Sequence, residues 1–293
     1  MKCAIVYLIQ GKEENMTNLK NSLYFLFKNY LIYHMHDIIF FHEKKFNRFP
    51  EVIGAVPPPY RHRIGFKKID FKIPEFIDVK KLQESLSNPP VFYWRGLGYR
   101  NMCRHYAIKL WDYLKDYDYY MRLDDDSFIE RKIKKDFFEI MEEQSLDYIY
   151  NDYELDCPIC NEGLLPFVYK YCKSNKITVN FITEINSDQK ECVVSYKNNF
   201  HVSRVKFWER EDVKKFLREV DLTGNIYYKR WGDAPLHSIT VQLFSKRIKQ
   251  LTFDYSKKKD RYTVFIQNKV IKDLPKICEA FDYKYIKGNS YFN

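Results

Sequence analysis

Tyr117-Asp118-Tyr119-Tyr120-Met121-Arg122-Leu123 is an aromatic, apolar run that stops at three consecutive carboxylates, Asp124-Asp125-Asp126, followed by Ser127. A short apolar run bounded by polar residues predicts a buried strand over Tyr117 to Leu123. The three aspartates then stand at its carboxyl end, where ligands gather in open α/β sheets. On both sides of this strand the pattern alternates. Cys3 to Ile9 and Asp37 to His42 read as strands around a helix at Met16 to Tyr30, a β-α-β start. Gly54 to Tyr60, with three prolines, reads as a loop before an apolar segment at Ile64 to Phe71, and Tyr99 to Leu114 as a helix. Beyond the triplet come helix at Ile133 to Gln144, strand at Asp147 to Tyr150, helix at Gly163 to Cys172 and extended chain at Cys192 to Val202. Helices at Glu209 to Val220 and Asp233 to Phe244 complete the pattern. Alternation of this kind predicts an α/β fold, a mixed, mostly parallel central sheet flanked by helices, counted as one domain over residues 1–293.

Composition narrows the class. The 293 residues carry 49 Lys+Arg against 39 Asp+Glu, a formal charge of +10, and 45% of them are hydrophobic, which suits a globular protein large enough to fold without disulfide or metal staples. The longest apolar stretch, Leu23 to Phe41, is broken by Lys28, Asn29, His34, His36 and Asp37, short of the roughly 20 apolar residues of a membrane span. The apolar start lacks a cleavage site. A cytoplasmic location without a membrane span is therefore the expectation. Seven cysteines without framework spacing read as reduced thiols, and Cys157-Pro-Ile-Cys160 lacks the second ligand pair of a zinc site. The positive charge suits an anionic partner. No helix-turn-helix, zinc-finger or RRM-like signature points to nucleic acid, and the basic residues are dispersed. Lys257 to Arg261, the densest charge run, reads as a solvated loop.

Three segments bear residues suited to chemistry. Asp124 and Asp126, one residue apart at a strand end, can bind Mg²⁺ or Mn²⁺ through oxygen and so neutralise a diphosphate, the DXD arrangement of nucleotide-sugar glycosyltransferases; a solvated turn or a helix cap explains the same triplet. Tyr228-Lys229-Arg230-Trp231-Gly232-Asp233-Ala234-Pro235-Leu236-His237-Ser238 groups Trp, carboxylate and His as a sugar-phosphate pocket does, while Asp233 with Pro235 also reads as an ordinary helix start. Arg100 and Arg104, opening a helix after Gly96 and Gly98, form either a phosphate site or an amphipathic surface.

In this order the three segments resemble the fungal α-1,2-mannosyltransferase family, glycosyltransferase family 15. The counterparts are Tyr99-Arg-Asn-Met-Cys-Arg-His105, Tyr120-Met-Arg-Leu-Asp-Asp-Asp126, Asn199-Phe-His-Val202 and Lys229-Arg-Trp-Gly-Asp-Ala-Pro-Leu-His-Ser238, the last being highly specific. The resemblance implies a GT-A-like nucleotide-sugar transferase fold, GDP-mannose as donor, a Mn²⁺ (or Mg²⁺) ion, and retaining transfer of mannose to a glycan or glycoprotein acceptor hydroxyl. It carries Tyr99 and Asp233 to the reaction centre and Asp124 and Asp126 to the metal. Arg100, Arg104, Arg122, Asp124 and Trp231 go to the donor. Two positions depart from the family. His201 stands where it has a glutamate beside the anomeric carbon, and no histidine occurs in Ile248 to Ser256 where it has a metal ligand, which leaves His237 or Asp254 as substitutes. An imidazole does not replace a carboxylate nucleophile. The departures keep two alternatives open, a catalytically weakened sugar-nucleotide or glycan-binding protein on the same fold and a transferase using another donor. Family members are anchored in the Golgi by a membrane helix. Residues 255–293 depart furthest and have no assigned role.

Overall fold

The computed structural model describes residues 1–90, 95–156, 158–179 and 182–257. Its strands are β1 (Cys3–Ile9), β2 (Asp37–Glu43), β3 (Ile64–Ile69), β4 (Tyr119–Leu123), β5 (Ser127–Ile129), β6 (Tyr148–Tyr150), β7 (Tyr153–Leu155), β8 (Thr183–Ile185), β9 (Glu191–Tyr196), β10 (Phe200–Arg204), β11 (Ile248–Gln250) and β12 (Tyr255–Lys257). The α-helices are α1 (Glu13–Leu26), α2 (Phe49–Gly54), α3 (Val79–Ser87), α4 (Leu97–Arg104), α5 (Phe137–Glu143), α6 (Leu164–Asn175), α7 (Val205–Trp208), α8 (Glu211–Leu222), α9 (Asn225–Tyr228) and α10 (Asp233–Phe244). Two compact units divide the chain, one made of Met1–Asp70, Tyr119–Ile140 and the chain from Thr252, the other of Phe71–Asp118 and Met141–Leu251.

In the first unit β4, β1, β2 and β3 lie side by side in that order, all parallel. β1 and β4 are buried along nearly their whole length, which is why both read as unbroken apolar runs rather than alternating ones. Glu13 and Glu14 favour the positive N-terminal end of α1. The helix widens into a π turn at Phe27–Leu31. β12 returns antiparallel to β5, with Lys257 opposite Ser127. Lys257 is thus a strand residue held against the acidic triplet, not part of a solvated loop; Lys258 to Arg261 lie outside the described residues.

In the second unit β6 pairs antiparallel with β10 and parallel with β11, and β7, β9 and β8 form a separate antiparallel ribbon. The extended chain expected as one piece at Cys192 to Val202 is therefore two strands of different sheets, parted at Lys197 to Asn199. α10 is the central helix of this unit, buried from Asp233 to Val241 apart from Ala234. Its buried hydroxyls are satisfied locally: Thr240 donates to the Leu236 carbonyl, and Ser238 donates to Ala234 while accepting from the Tyr196 amide. Trp111 and Trp208 stack beneath it at 4.3 Å. Gly224, at φ +68°, turns the chain into α9, and a side chain there would run into the Tyr228 ring. No helix among the described residues is long and apolar enough to cross a membrane.

Candidate functional site

The acidic end of β4 is held by one face of the first helical segment. Asn15, Ser22 and Asn29 recur every seven residues, roughly two turns, and so align. Asn15 donates to Asp125 Oδ2 at 2.9 Å, Ser22 to the Ser127 carbonyl at 2.6 Å, and Asn29 to the Ile129 carbonyl at 2.6 Å. Three polar side chains thus fix the alternate residues that follow β4, which sets where the triplet points.

Within the triplet each carboxylate has a different setting. Asp124 Oδ1 accepts from Arg122 Nε at 3.1 Å and Nη2 at 3.0 Å, and its Oδ2 lies 3.2 Å from the Lys257 ammonium. The same ammonium is 3.5 Å from Asp126 Oδ1. Burial works to raise the Asp124 pKa, but Arg122 and Lys257 outweigh it and hold the carboxyl below its ordinary range. Burial pushes Asp125 up to about 7 against the hydrogen bond from Asn15, and raises Asp126 as well. For Lys257, burial is outweighed by Asp124 and Asp126, so its ammonium is held charged. The Tyr255 hydroxyl lies 2.7 Å from Ser127 Oγ and fastens β12 beside the site.

Asp124 and Asp126 fit a divalent cation in kind. Both present oxygen donors, and the structure already bridges them with a positive charge. Among the described residues no three His, Cys, Asp or Glu side chains converge as a metal cage. A bound ion would rest on two carboxylates, with water and substrate phosphate completing its shell, as Mg²⁺-type ions commonly do.

The second unit assembles another cluster. The Tyr99 hydroxyl accepts from Arg230 Nη2 at 3.3 Å, and the Arg230 guanidinium lies 5.0 Å over the Tyr99 ring, with Arg95 at 5.9 Å. Arg230 takes a left-handed φ of 59°, a conformation that costs energy for a side-chain-bearing residue and aims it at Tyr99. Asp233 is buried just behind, accepting from Asn198 Nδ2 at 2.6 Å. It does not cap α10: the N-cap is Gly232 and no side chain closes the first turn. A thiolate at Cys103, were one to form, would raise the Tyr99 pKa, as do burial and Asp233; burial and Asp233 likewise raise the Cys103 thiol, so both groups stay protonated near neutrality.

The other predicted residues are committed elsewhere. Arg100 is fully buried on the Tyr227 carbonyl and Ser85 Oγ. Arg104 grips both oxygens of Asp221 at 2.8 and 2.7 Å. Trp231 is 1% exposed and donates to the Glu162 carbonyl, so its faces are core surface rather than a sugar platform. His201 is buried with its ring stacked on Tyr148 at 5.1 Å and Nδ1 3.3 Å from the Asn198 carbonyl. His237 is buried with Nε2 3.0 Å from the Tyr106 carbonyl, among Trp111, Trp208 and His201. Asp254 pairs with Arg131. Of the cysteine pair, Cys160 is buried and Cys157 lies outside the described residues. Sequence reasoning missed Lys257, Arg230 and Asn198. Arg230 stood within a motif already singled out, Lys257 opened a charge run read as a solvated loop, and Asn198 carries no local signal.

A family model described as glycolipid 2-alpha-mannosyltransferase matches residues 2–283. Glycolipid 2-alpha-mannosyltransferase 1 of Candida albicans is 28% identical over 227 residues, 73% of this chain and 52% of the relative. O-glycoside alpha-1,2-mannosyltransferase omh1 of Schizosaccharomyces pombe is 27% identical over 253 residues, 82% of this chain and 65% of the relative. The structure of mannosyltransferase Ktr4p from Saccharomyces cerevisiae in complex with GDP superposes with a TM-score of 0.80 at 21% identity, over 88% of this chain and 71% of that one. Core-mannan synthase A from Aspergillus fumigatus, in its Mn/GDP form, gives 0.79 at 21% identity, over 88% and 75%. This chain spans about half the length of the first two curated relatives it matches. The shared fold is of the GT-A type, as the alternating pattern and the motifs predict.

Proposed function

Since the chain belongs to the glycolipid 2-alpha-mannosyltransferase family, we propose that it is a metal-dependent retaining transferase that moves mannose from GDP-mannose to a glycan or glycoprotein hydroxyl. The observation that carries this reading is the Asp124/Asp126 pair at the carboxyl end of β4, bridged by a cation. One family model covers both units, which supports counting them as one glycosyltransferase domain. Two relatives whose structures hold GDP, one with Mn, support the donor and the metal.

Asp124 and Asp126 are the residues that would hold the ion. When bound, such an ion supplies positive charge that offsets the charge growing on a departing diphosphate. Arg122, bonded to Asp124, fixes that carboxylate's rotamer and keeps it ionised. In the proposed transfer the acceptor oxygen bonds to the anomeric carbon as the carbon–phosphate oxygen bond breaks, and the acceptor proton passes to a leaving phosphate oxygen. No dedicated base is required. His201, buried on Tyr148, offers no carboxylate for double displacement, which favours front-side attack. Tyr99 and Asp233 are assigned to orient sugar hydroxyls, Tyr99 as a protonated hydroxyl and Asp233 as an acceptor held by Asn198. Trp231, His237, Arg100 and Arg104 take structural roles in this reading, since each is spent on a partner within its own unit.

The test is nucleotide release from GDP-mannose, UDP-glucose, UDP-galactose and UDP-N-acetylglucosamine, each with Mn²⁺ and with EDTA. GDP release from GDP-mannose alone, lost in EDTA and in the Asp124→Ala, Asp126→Ala double variant, is the expected result. Turnover that survives the double variant overturns the metal assignment, and silence with every donor overturns the transferase reading.

A further inference from the structure

Lys257 is the residue the proposed chemistry leaves unexplained. Its ammonium lies 3.2 Å from Asp124 Oδ2 and 3.5 Å from Asp126 Oδ1, bridging the two carboxylates expected to share a divalent ion. We propose that Lys257 is a tethered cation that fills the metal position in the metal-free protein and competes with the divalent ion for Asp124 and Asp126; the proposal rests on the reading of that pair as the metal site.

Its placement is built in. β12 pairs with β5 in a register that sets Lys257 opposite Ser127, the residue directly after the triplet. Four further contacts pin that register: Tyr255 to Ser127, Ser256 Oγ to Glu130 at 2.7 Å, the Glu130 amide to the Asp254 carbonyl at 2.9 Å, and Arg131 to Asp254 at 3.1 Å. The ammonium is therefore a member of the site, with only 26% of the side chain exposed. A long flexible lysine held on carboxylates by a strand is different from a surface lysine that swings in water.

Competition follows from the oxygens available. Asp124 Oδ1 is engaged by Arg122, which leaves Oδ2 as the oxygen aimed away from that guanidinium, and Lys257 occupies it. A divalent ion placed on Oδ2 and on Asp126 would stand within a few ångströms of the ammonium, at a separation where like charges in a half-buried site repel strongly. Binding thus requires the lysine to swing out. The same exchange gives the triplet a counter-charge when no ion is present, which keeps adjacent aspartates from repelling one another in the empty site.

The experiment measures Mn²⁺ affinity without donor, by the electron paramagnetic resonance signal of free Mn²⁺, on the whole chain as wild type, Lys257→Met, Lys257→Gln and Lys257→Arg, each checked for fold by circular dichroism. The two neutral variants are expected to bind Mn²⁺ about tenfold more tightly than wild type, within the usual range of coupling between competing groups, while Lys257→Arg stays near wild type. Their thermal midpoints should lie below wild type without metal and rise further on adding Mn²⁺. Equal or weaker Mn²⁺ binding by whichever neutral variant folds overturns the proposal. Donor turnover on the same wild-type preparation separates the two readings. Mn²⁺-dependent GDP release with unchanged affinity in the variants sinks the lysine role and leaves the transferase standing. No Mn²⁺ binding by any form, with no GDP release, sinks the metal site and the lysine role together.

Discussion

Replacing Asp124 by Asn removes one charge and almost no volume, and so isolates the electrostatic part of the site. In the native protein Arg122, 3% exposed, directs two N–H groups at Asp124 Oδ1, while the Asp124 side chain is 24% exposed. Stripping one partner from a fully buried ion pair costs about 3–5 kcal/mol because the other charge is left uncompensated. Here the carboxamide oxygen still accepts a bond and water reaches a quarter of the side chain, so the expected loss is about 2 kcal/mol, a fall of about 3 °C in thermal midpoint for a chain of this size. The pH dependence carries the sign. The Asp124 carboxyl sits below its ordinary value when folded, so its stabilisation is present above about pH 4 and is lost as the pH falls through the depressed folded value. Calorimetry of the metal-free proteins should show a gap between wild type and Asp124→Asn at about pH 5 to 6, below the range in which Asp125 ionises, that closes below about pH 4. A midpoint shift under about 1 °C at about pH 5 to 6, or a gap that persists undiminished under acid, refutes the claim that this pair is ionic and buried.

Asp125 should behave in the opposite sense: burial raises its carboxyl to about 7, so the stability it contributes is full below about pH 4 and is lost as the pH climbs through 7. Asp125→Asn, which keeps an acceptor for Asn15, is therefore expected to raise the midpoint of the metal-free protein by a few degrees at pH 8 and to be neutral at pH 4; a lower midpoint at pH 8 contradicts this. Arg104→Met is expected to cost about 2–3 kcal/mol through the lost Asp221 pair while leaving GDP affinity within about twofold. Calorimetric GDP binding weakened by about tenfold, with an unchanged midpoint, would return Arg104 to the phosphate. Asp233→Asn should lower donor turnover by about a hundredfold with a small change in midpoint, the scale of losing one oriented polar group at a reaction centre. Turnover within about twofold of wild type removes Asp233 from the chemistry.

Much of the fold was legible along the chain. β1 appears at Cys3–Ile9 and α10 at Asp233–Phe244, the bounds that pattern reading assigned them. β4 was found because a strand covered on both faces has only an apolar run to show, and the carboxylates mark its end. Where the misses fell, a local pattern was overridden or too short. The helix expected from Ile133 begins at Phe137, where Asp136 Oδ1 takes up the Phe138 amide and starts the turn. That expected over Tyr99 to Leu114 starts at Leu97 and gives way to a π turn at His105. The Cys192 to Val202 run is broken by the polar turn Lys197-Asn198-Asn199, a turn signal that parts it into two strands. Strands of three residues such as β5, β11 and β12 hold too few positions for any period to show.

The family, the longer strands and helices in their order, and the acidic pair could all be read along the chain, because each is written in contiguous residues: a period, a run or a motif. Which of the singled-out side chains remain open to a ligand depends on packing between segments far apart in the chain. Arg104 meets Asp221 across 117 positions and Lys257 meets Asp124 across 133. His237, Trp231 and His201 are buried by elements far from them in the chain. Ion pairing and burial depend on strand register and packing between distant segments, and a charge within hydrogen-bond reach outweighs whatever its neighbours in sequence suggest.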